Sequence, residues 1–337
     1  MPNAIVILNY NGAKHLTTYL PSVVQNSPNW QIIIADNGSS DTSVAFIQSE
    51  YPTIQLIQLD QNYGFAGGYN HALETIKGQY EYYFILNSDV RLSPNWDTPL
   101  LDFIQANPEV AAVQPLVLSD RDHTLFEHAG AAGGYLDSLY FPFCRGRLFE
   151  TVETNQGQYN SIQEVTWVSG AAMLIRAQDF HEAAGFDAAF FAHMEEIDLC
   201  LRLARSGKKL YYIPNAVVYH LGGGTLSYDN PQKVFLNFRN SLWTIVKNQD
   251  RFLFPLLYLR MLLDGMAAIQ FLLKGKPKLT WQIFLAHMAL YGRFGTFYKK
   301  RFKAQHKPFR YHGLIVWDYF GKSIRTFSAL NKRKFHS

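Results

Sequence analysis

Apolar and polar positions alternate along the first 220 residues in a repeating order. Short apolar runs at 4–8 (AIVIL), 31–35 (QIIIA), 54–59 (IQLIQL) and 81–86 (EYYFIL) read as buried strands. Between them lie segments suited to helices: one to about Val24, one to Glu50 with Ser39 or Ser40 as its N-cap, and one to about Ile76 after a flexible Gly64–Gly68 loop. Strands then follow at 110–118, 165–175 and 210–219. A short helix over Ile197–Arg205 precedes the last of these, with Gly207 to close it. The stretch 129–149, rich in glycine and aromatics, fits no element. This alternation predicts an α/β domain with a mostly parallel central sheet flanked by helices. In such sheets ligands bind at the carboxyl ends of strands, where Asp36 and Asp89 fall.

The pattern changes near residue 225, where long apolar and basic helical stretches begin. We therefore divide the chain into an α/β domain, 1–225, whose strand ends would hold the ligand, and a C-terminal helical region, 226–337. Residues 251–337 hold 17 Lys and Arg but 2 Asp and Glu, a net of +15 against −11 for the remaining residues. A basic region of that kind suits an anionic partner. No nucleic-acid recognition motif accompanies it. The run 252–273 approaches the ~20 apolar residues needed to span a bilayer, but Pro255, Arg260 and Asp264 interrupt it. Helices on an anionic membrane surface, with Lys299, Lys300, Arg301 and Lys303 at the head groups, are the favoured reading. A helical subdomain packed on the core is the second reading, and a spanning helix the third. Two cysteines, Cys144 and Cys200, and an N-terminus without the pattern of a secretory leader predict a cytoplasmic protein.

Several residues could carry chemistry. Asp89, past the 81–86 strand in Asn87-Ser88-Asp89, could bind a Mg²⁺ or Mn²⁺ ion that bridges phosphate oxygens; as a bland alternative, the tripeptide is a turn. Asp36 could accept hydrogen bonds from a nucleobase or ribose, or simply cap a helix. Glu195, Glu196 and Asp198 cluster at a helix start. Crowded carboxylates there could supply a general base, or only complement the helix dipole. His220, before Gly222-Gly223-Gly224, could complete a metal site. Trp167 could stack on a sugar, and Gly170 admits a close backbone approach. The first strand lacks the G-x-G-x-x-G of a dehydrogenase, and neither a Walker sequence nor the basic glycine loop of a nucleotidyltransferase occurs.

The ordered set of motifs resembles the family 2 glycosyltransferases, in particular their bacterial rhamnosyltransferase-like branch. The matching segments are Asn9-Tyr10-Asn11-Gly12, Asp36 through Asp41, Asn62 through Gly68, Asn87-Ser88-Asp89, Ser169 through Ala172, Gly185-Phe186-Asp187, Phe190 through Leu199, and His220 with its glycines. The resemblance covers roughly residues 3–245. It implies a GT-A fold and inverting transfer of a sugar from a nucleotide-diphosphate donor to a saccharide hydroxyl, with a lipid-linked acceptor expected. It implies a Mg²⁺ or Mn²⁺ ion held by Asp89 and His220, with Asn87 in place of the first carboxylate of D-x-D. Glu196 matches the base and Glu195 the residue that holds the acceptor, although a Glu-Glu pair replaces the usual Glu-Asp. Donor contacts are implied for Asn9, Asp36, Asn62, Gly64, Gly67, Ser88, Ser169 and Gly170. Acceptor contacts are expected from Trp167, Glu195 and Asp198. A non-catalytic nucleotide-sugar-binding protein on the same scaffold is the alternative.

Overall fold

A computed structural model describes residues 1–127, 130–222 and 230–337; Gly223 and Gly224 lie outside them. The strands are β1 (Asn3–Asn9), β2 (Gln31–Asp36), β3 (Gln55–Gln58), β4 (Tyr82–Asn87), β5 (Val90–Leu92), β6 (Val110–Ser119), β7 (Gly134–Leu136), β8 (Pro142–Cys144), β9 (Arg147–Leu148), β10 (Thr151–Val152), β11 (Gln163–Glu164), β12 (Ala172–Arg176) and β13 (Lys209–His220). The helices are α1 (Ala13–Asn26), α2 (Ser43–Glu50), α3 (Gly64–Thr75), α4 (Thr98–Ala106), α5 (Ala177–Glu182), α6 (Glu195–Arg205), α7 (Pro231–Asn248), α8 (Leu253–Leu273) and α9 (Pro277–Lys299).

The main sheet runs β11-β13-β6-β12-β4-β1-β2-β3, with β5 on β13. Its central strands are apolar on both faces, so each buries nearly every side chain. β3, β2, β1, β4, β6 and β13 point one way, and β12, β11 and β5 run against them. The carboxyl ends of β1, β2, β4 and β13 therefore share one sheet edge. The entry to antiparallel β12 lies on that edge too.

Three local expectations differ from the structure. The Gly64–Gly68 segment is the first turn of α3 rather than a loop. Its glycines let the helix pack closely: a Cβ on Gly68 would stand 2.8 Å from a Leu8 methyl and 3.0 Å from Asn37 Nδ2. α2 begins at Ser43, with Thr42 at its N-cap instead of Ser39 or Ser40. Of the 165–175 run only 172–175 is continuous strand, and that strand extends to Arg176. The unassigned 129–149 stretch contributes to a small antiparallel sheet, β10-β9-β8-β7.

α7, α8 and α9 pack against one another and on the first half of the chain. Arg260 and Asp264 of α8 pair at 2.9 Å and face the protein; Arg260 also donates to Ser241 Oγ and stacks on Phe141. Pro255 falls in the first turn of α8, where a missing N–H leaves no intrahelical bond unmade. The opposite face is apolar and exposed: Phe254, Tyr258, Leu262, Met266, Ile269 and Leu273 on α8, and Trp281, Phe284, Met288 and Tyr291 on α9. By length and composition α8 could cross a membrane, with 17% of its most apolar window buried.

Candidate active site

The sheet edge gathers most of the residues singled out by sequence. In register, Asn9 faces Asp36 and Leu8 faces Asn87. Asn9 Nδ2 donates to Asp36 Oδ1 (2.9 Å) and to Ser39 Oγ (3.2 Å), and the Ser39 N–H donates to Asp36 Oδ2 (2.9 Å). Asn37 is the hub that sequence reasoning passed over. Its Nδ2 donates to Asn62 Oδ1 and to the Gly64 carbonyl, both at 3.0 Å, and its Oδ1 accepts from the Tyr63 N–H. Asn9, Asp36, Asn62 and Gly64 thus form one network at the ends of β1 and β2. Asn9 Oδ1 is buried within it and makes no hydrogen bond. Gly67 packs on Tyr63, and Ser88 stands near Gly12.

At the neighbouring strand ends, His220 closes β13 and lies between two carboxylates. Its Nε2 is 3.1 Å from Asp89 Oδ1 and its Nδ1 is 3.1 Å from Glu127 Oε2. All three side chains are nearly buried. Burial alone would lower the His220 pKa, yet the Asp89 and Glu127 carboxylates push it up to about 10. Burial likewise opposes ionisation of Asp89, but the facing imidazolium holds its carboxyl below the usual range. Glu127 had no local signal in sequence, because its partner is 93 positions away.

The acid pair begins α6. Gly170 lies against Glu196 and Phe65: a Cβ there would stand 3.6 Å from Glu196 Cβ and 3.3 Å from Phe65 Cζ. Ser169 shapes that turn, its N–H donating to Gln114 Oε1 and its hydroxyl accepting from the Ala171 N–H. The Asn87 N–H donates to the Ala171 carbonyl, which ties this turn to the strand leading to Asp89. Glu195 Oε2 and Glu196 Oε2 are both buried without hydrogen-bond partners. Burial pushes Glu196 up to about 7, and burial together with the Glu196 charge raises Glu195 well above the usual carboxylate range. The segment before α6 is unusual: Phe191, His193 and Met194 all have φ between 66° and 70°. Asn240 of α7 over-determines it, with Nδ2 donating to the carbonyls of Phe190 (3.0 Å), Ala192 (2.9 Å) and His193 (2.7 Å).

Two expected acceptor contacts do not face this edge. Trp167 is 5% exposed, its ring is pressed onto the backbone of Gly134, and its Nε1 donates to the Tyr135 carbonyl, so neither ring face is open to a sugar. Asp198 is fully buried and accepts from Lys247 Nζ (2.7 Å), Arg202 Nε (2.9 Å) and Asn248 Nδ2 (3.1 Å). Lys247 also binds Asp187, which this pairing and Lys300, working against burial, hold down at about 2. Asp198 therefore anchors α6 to α7.

With this geometry in place, known proteins settle the family. Residues 4–171 match the profile described as "Glycosyl transferase family 2". The N-terminal half of the chain belongs to glycosyl transferase family 2. Over 230 residues it is 26% identical to the N-acetylglucosaminyl-diphospho-decaprenol L-rhamnosyltransferase of Mycobacterium tuberculosis, covering 64% of this chain and 75% of that one. It is 25% identical to the rhamnosyltransferase WbbL of Escherichia coli K12, covering 62% and 80%. The mannosyltransferase PcManGT from Pyrobaculum calidifontis, solved with GDP-Man and Mn²⁺, superposes with a TM-score of 0.52 at 14% identity, over 87% of this chain and 75% of that one. GalNAc-T7, solved with UDP, GalNAc and Mn²⁺, gives 0.51 at 16% identity, over 65% and 43%. The fold is GT-A and the chain is a glycosyltransferase; the non-catalytic reading is not favoured.

Proposed function

We propose that this glycosyltransferase moves a sugar from a nucleotide-diphosphate donor, with inversion, to a hydroxyl of a lipid-linked saccharide in cell-surface polysaccharide synthesis. The observation that carries the mechanism is Glu196: a carboxylate at the start of α6, raised toward neutrality, with one buried oxygen that has no hydrogen-bond partner. As general base it takes the proton from the acceptor hydroxyl as that oxygen attacks the anomeric carbon. Glu195, also short of a partner, orients the acceptor. Asp36 and the free Asn9 Oδ1 accept hydrogen bonds from the nucleoside, backed by Asn62 and Gly64, while Ser88, Ser169 and Gly170 line the donor side.

The Asp89–His220 pair fits a divalent cation. A cation would take the place of the Nε2 proton that His220 shares with Asp89; with that proton gone the donor set is a carboxylate oxygen and an imidazole nitrogen, and Glu127 takes the other ring nitrogen, an arrangement that orients metal-bound histidines. Among the described residues no three His, Cys, Asp or Glu side chains form a metal-holding group, so donor phosphate oxygens and water would supply the remaining ligands. Bound Mg²⁺ or Mn²⁺ would neutralise the charge of the departing diphosphate.

The exposed apolar stripe of α8 and α9, with lysines at the ends of both helices, suits peripheral attachment to an anionic leaflet on the cytoplasmic side. We keep the boundary between the catalytic domain and this region at residue 225.

A screen of nucleotide-sugars for released nucleotide diphosphate, on wild type and Glu196→Gln, tests the reading. The variant should bind donor normally and turn over 10² to 10⁴ times more slowly, the usual weight of a general base. Undiminished transfer by Glu196→Gln would overturn it.

A further inference from the structure

Between α7, α9 and the turn at Ala188–Phe190 lies a cleft of about 420 Å³, lined by Ala189, Arg239, Trp243, Ala289, Gly292 and Arg293. It is separate from the sheet-edge site, and two arginines face it. Arg239 is fixed in place. Its guanidinium lies 4.2 Å over the Trp243 ring, Nε donates to Asn240 Oδ1 (2.9 Å), and Nη2 donates to the Phe190 carbonyl (3.0 Å). Its Nη1 makes no hydrogen bond among the described residues. Arg293 is exposed, and neither arginine has an ion-pair partner among the described residues. Burial, with the Arg293 charge adding to it, pulls Arg239 below its usual range, and it stays charged near neutral pH. Two guanidiniums beside one cavity without a carboxylate repel each other until an anion joins them. The planar fork of arginine suits phosphate oxygens.

The surroundings of the cleft restrict that anion further. On one side Gly292 continues the exposed stripe of Trp281, Phe284 and Met288, one helical turn on, so hydrocarbon can run from the cleft along α9. On the other side Ala189 sits six positions before Glu195, in the segment that Asn240, next to Arg239, clamps.

We propose that this cleft is the seat for the diphosphate of an amphiphilic acceptor, with Arg239 and Arg293 on the phosphates, the lipid chain along α8 and α9, and the saccharide directed to Glu196. The inference rests on the lipid-linked acceptor proposed above, and it adds the site that would read the acceptor's charged linker. The arginines would then set acceptor affinity without touching the donor.

The test is direct binding of farnesyl diphosphate to the full-length protein in EDTA, where a metal-dependent donor site cannot take the probe. Binding should weaken about tenfold or more in Arg293→Glu and within about threefold in Arg293→Lys, which keeps the charge. Arg293 is exposed and has no ion-pair partner among the described residues, so the melting temperature of both variants should match wild type. Farnesol and inorganic pyrophosphate should each bind at least tenfold more weakly than farnesyl diphosphate. Pyrophosphate binding as tightly as the prenyl compound would show an anion site indifferent to lipid and overturn the proposal. Unchanged binding by Arg293→Glu would overturn it too. Tight, arginine-dependent binding in a protein that releases no nucleotide diphosphate from any donor would support the cleft while sinking the transfer reading alone.

Discussion

Asp198→Asn separates an anchoring role from an acceptor-binding one. The side chain is fully buried and receives three donors, one of them the ammonium of Lys247, itself 4% exposed. Breaking a buried ion pair by removing one partner costs about 3–5 kcal/mol. Here Lys247 keeps Asp187 at 2.8 Å and Arg202 keeps the Gly185 carbonyl at 2.7 Å, so the low end, about 3 kcal/mol, applies. An unfolding entropy of about 2.1 cal/mol/K per residue amounts to roughly 0.7 kcal/mol/K for a chain of this length, so the melting temperature should fall by about 4 °C. The pairings outweigh burial and hold Asp198 below its ordinary pKa. Its contribution is therefore present above the unfolded value of about 3.9 and fades as pH falls through the lower folded value. The gap between wild type and variant, followed by thermal melts from pH 7 to pH 3, should narrow at the acid end. Acceptor KM, measured well below the melting range, should stay near wild type. Unchanged melting with a raised acceptor KM would refute the reasoning and return Asp198 to the acceptor.

As the proposed base, Glu196 must be ionised to take a proton, so kcat/KM should fall tenfold per pH unit below about 7 and level off above it; Glu195→Gln replaces a neighbour that is still protonated where Glu196 titrates and should leave that limb in place. The same raised carboxyls bind more protons folded than unfolded, so they cost stability as pH rises above about 4.3, visible as a partial gain in melting temperature in Glu195→Gln near neutrality. Gly68→Ala forces a methyl against Leu8 and Asn37 and should cost about 1–3 kcal/mol in thermal melts while weakening donor binding. Full-length protein should float with anionic vesicles, and Leu262→Glu with Met266→Glu should cut partitioning about a hundredfold, from roughly 3 kcal/mol of lost apolar burial. A soluble chain that ignores the vesicles would remove the membrane reading.

The sheet was legible because its central strands are buried on both faces, and buried strands write themselves as continuous apolar runs such as IIIA and YFIL. The strand-end residues followed from the parallel order: Asn9, Asp36, Asp89 and His220 all fall on one edge. What sequence could not supply depended on distant partners. Glu127 is a lone acid until the chain returns 93 residues later. The glycines of α3 look like a loop until Leu8 and Asn37 come against them. Asp198 looks equivalent to Glu195 and Glu196, since nothing local says that α7 will meet that face with Lys247. Trp167 is read as a platform for a sugar unless Gly134, more than thirty residues earlier, is known to lie beneath it. The arginine cleft is assembled from α7, α9 and the 188–190 turn, elements with no shared motif.

The grip of Asn240 on three carbonyls ahead of α6 makes the two halves of this enzyme mechanically inseparable. α6, which carries Glu195 and Glu196, takes its starting geometry from a residue that belongs, by sequence pattern, to the other half. Thr166 of the first half also donates to the Phe309 carbonyl, and Phe327 and Phe335 pack on Tyr135. A chimera that grafts residues 1–225 onto a foreign anchor would lose the clamp on the segment ahead of α6, so specificity swaps in this scaffold must carry α7 along with the sheet.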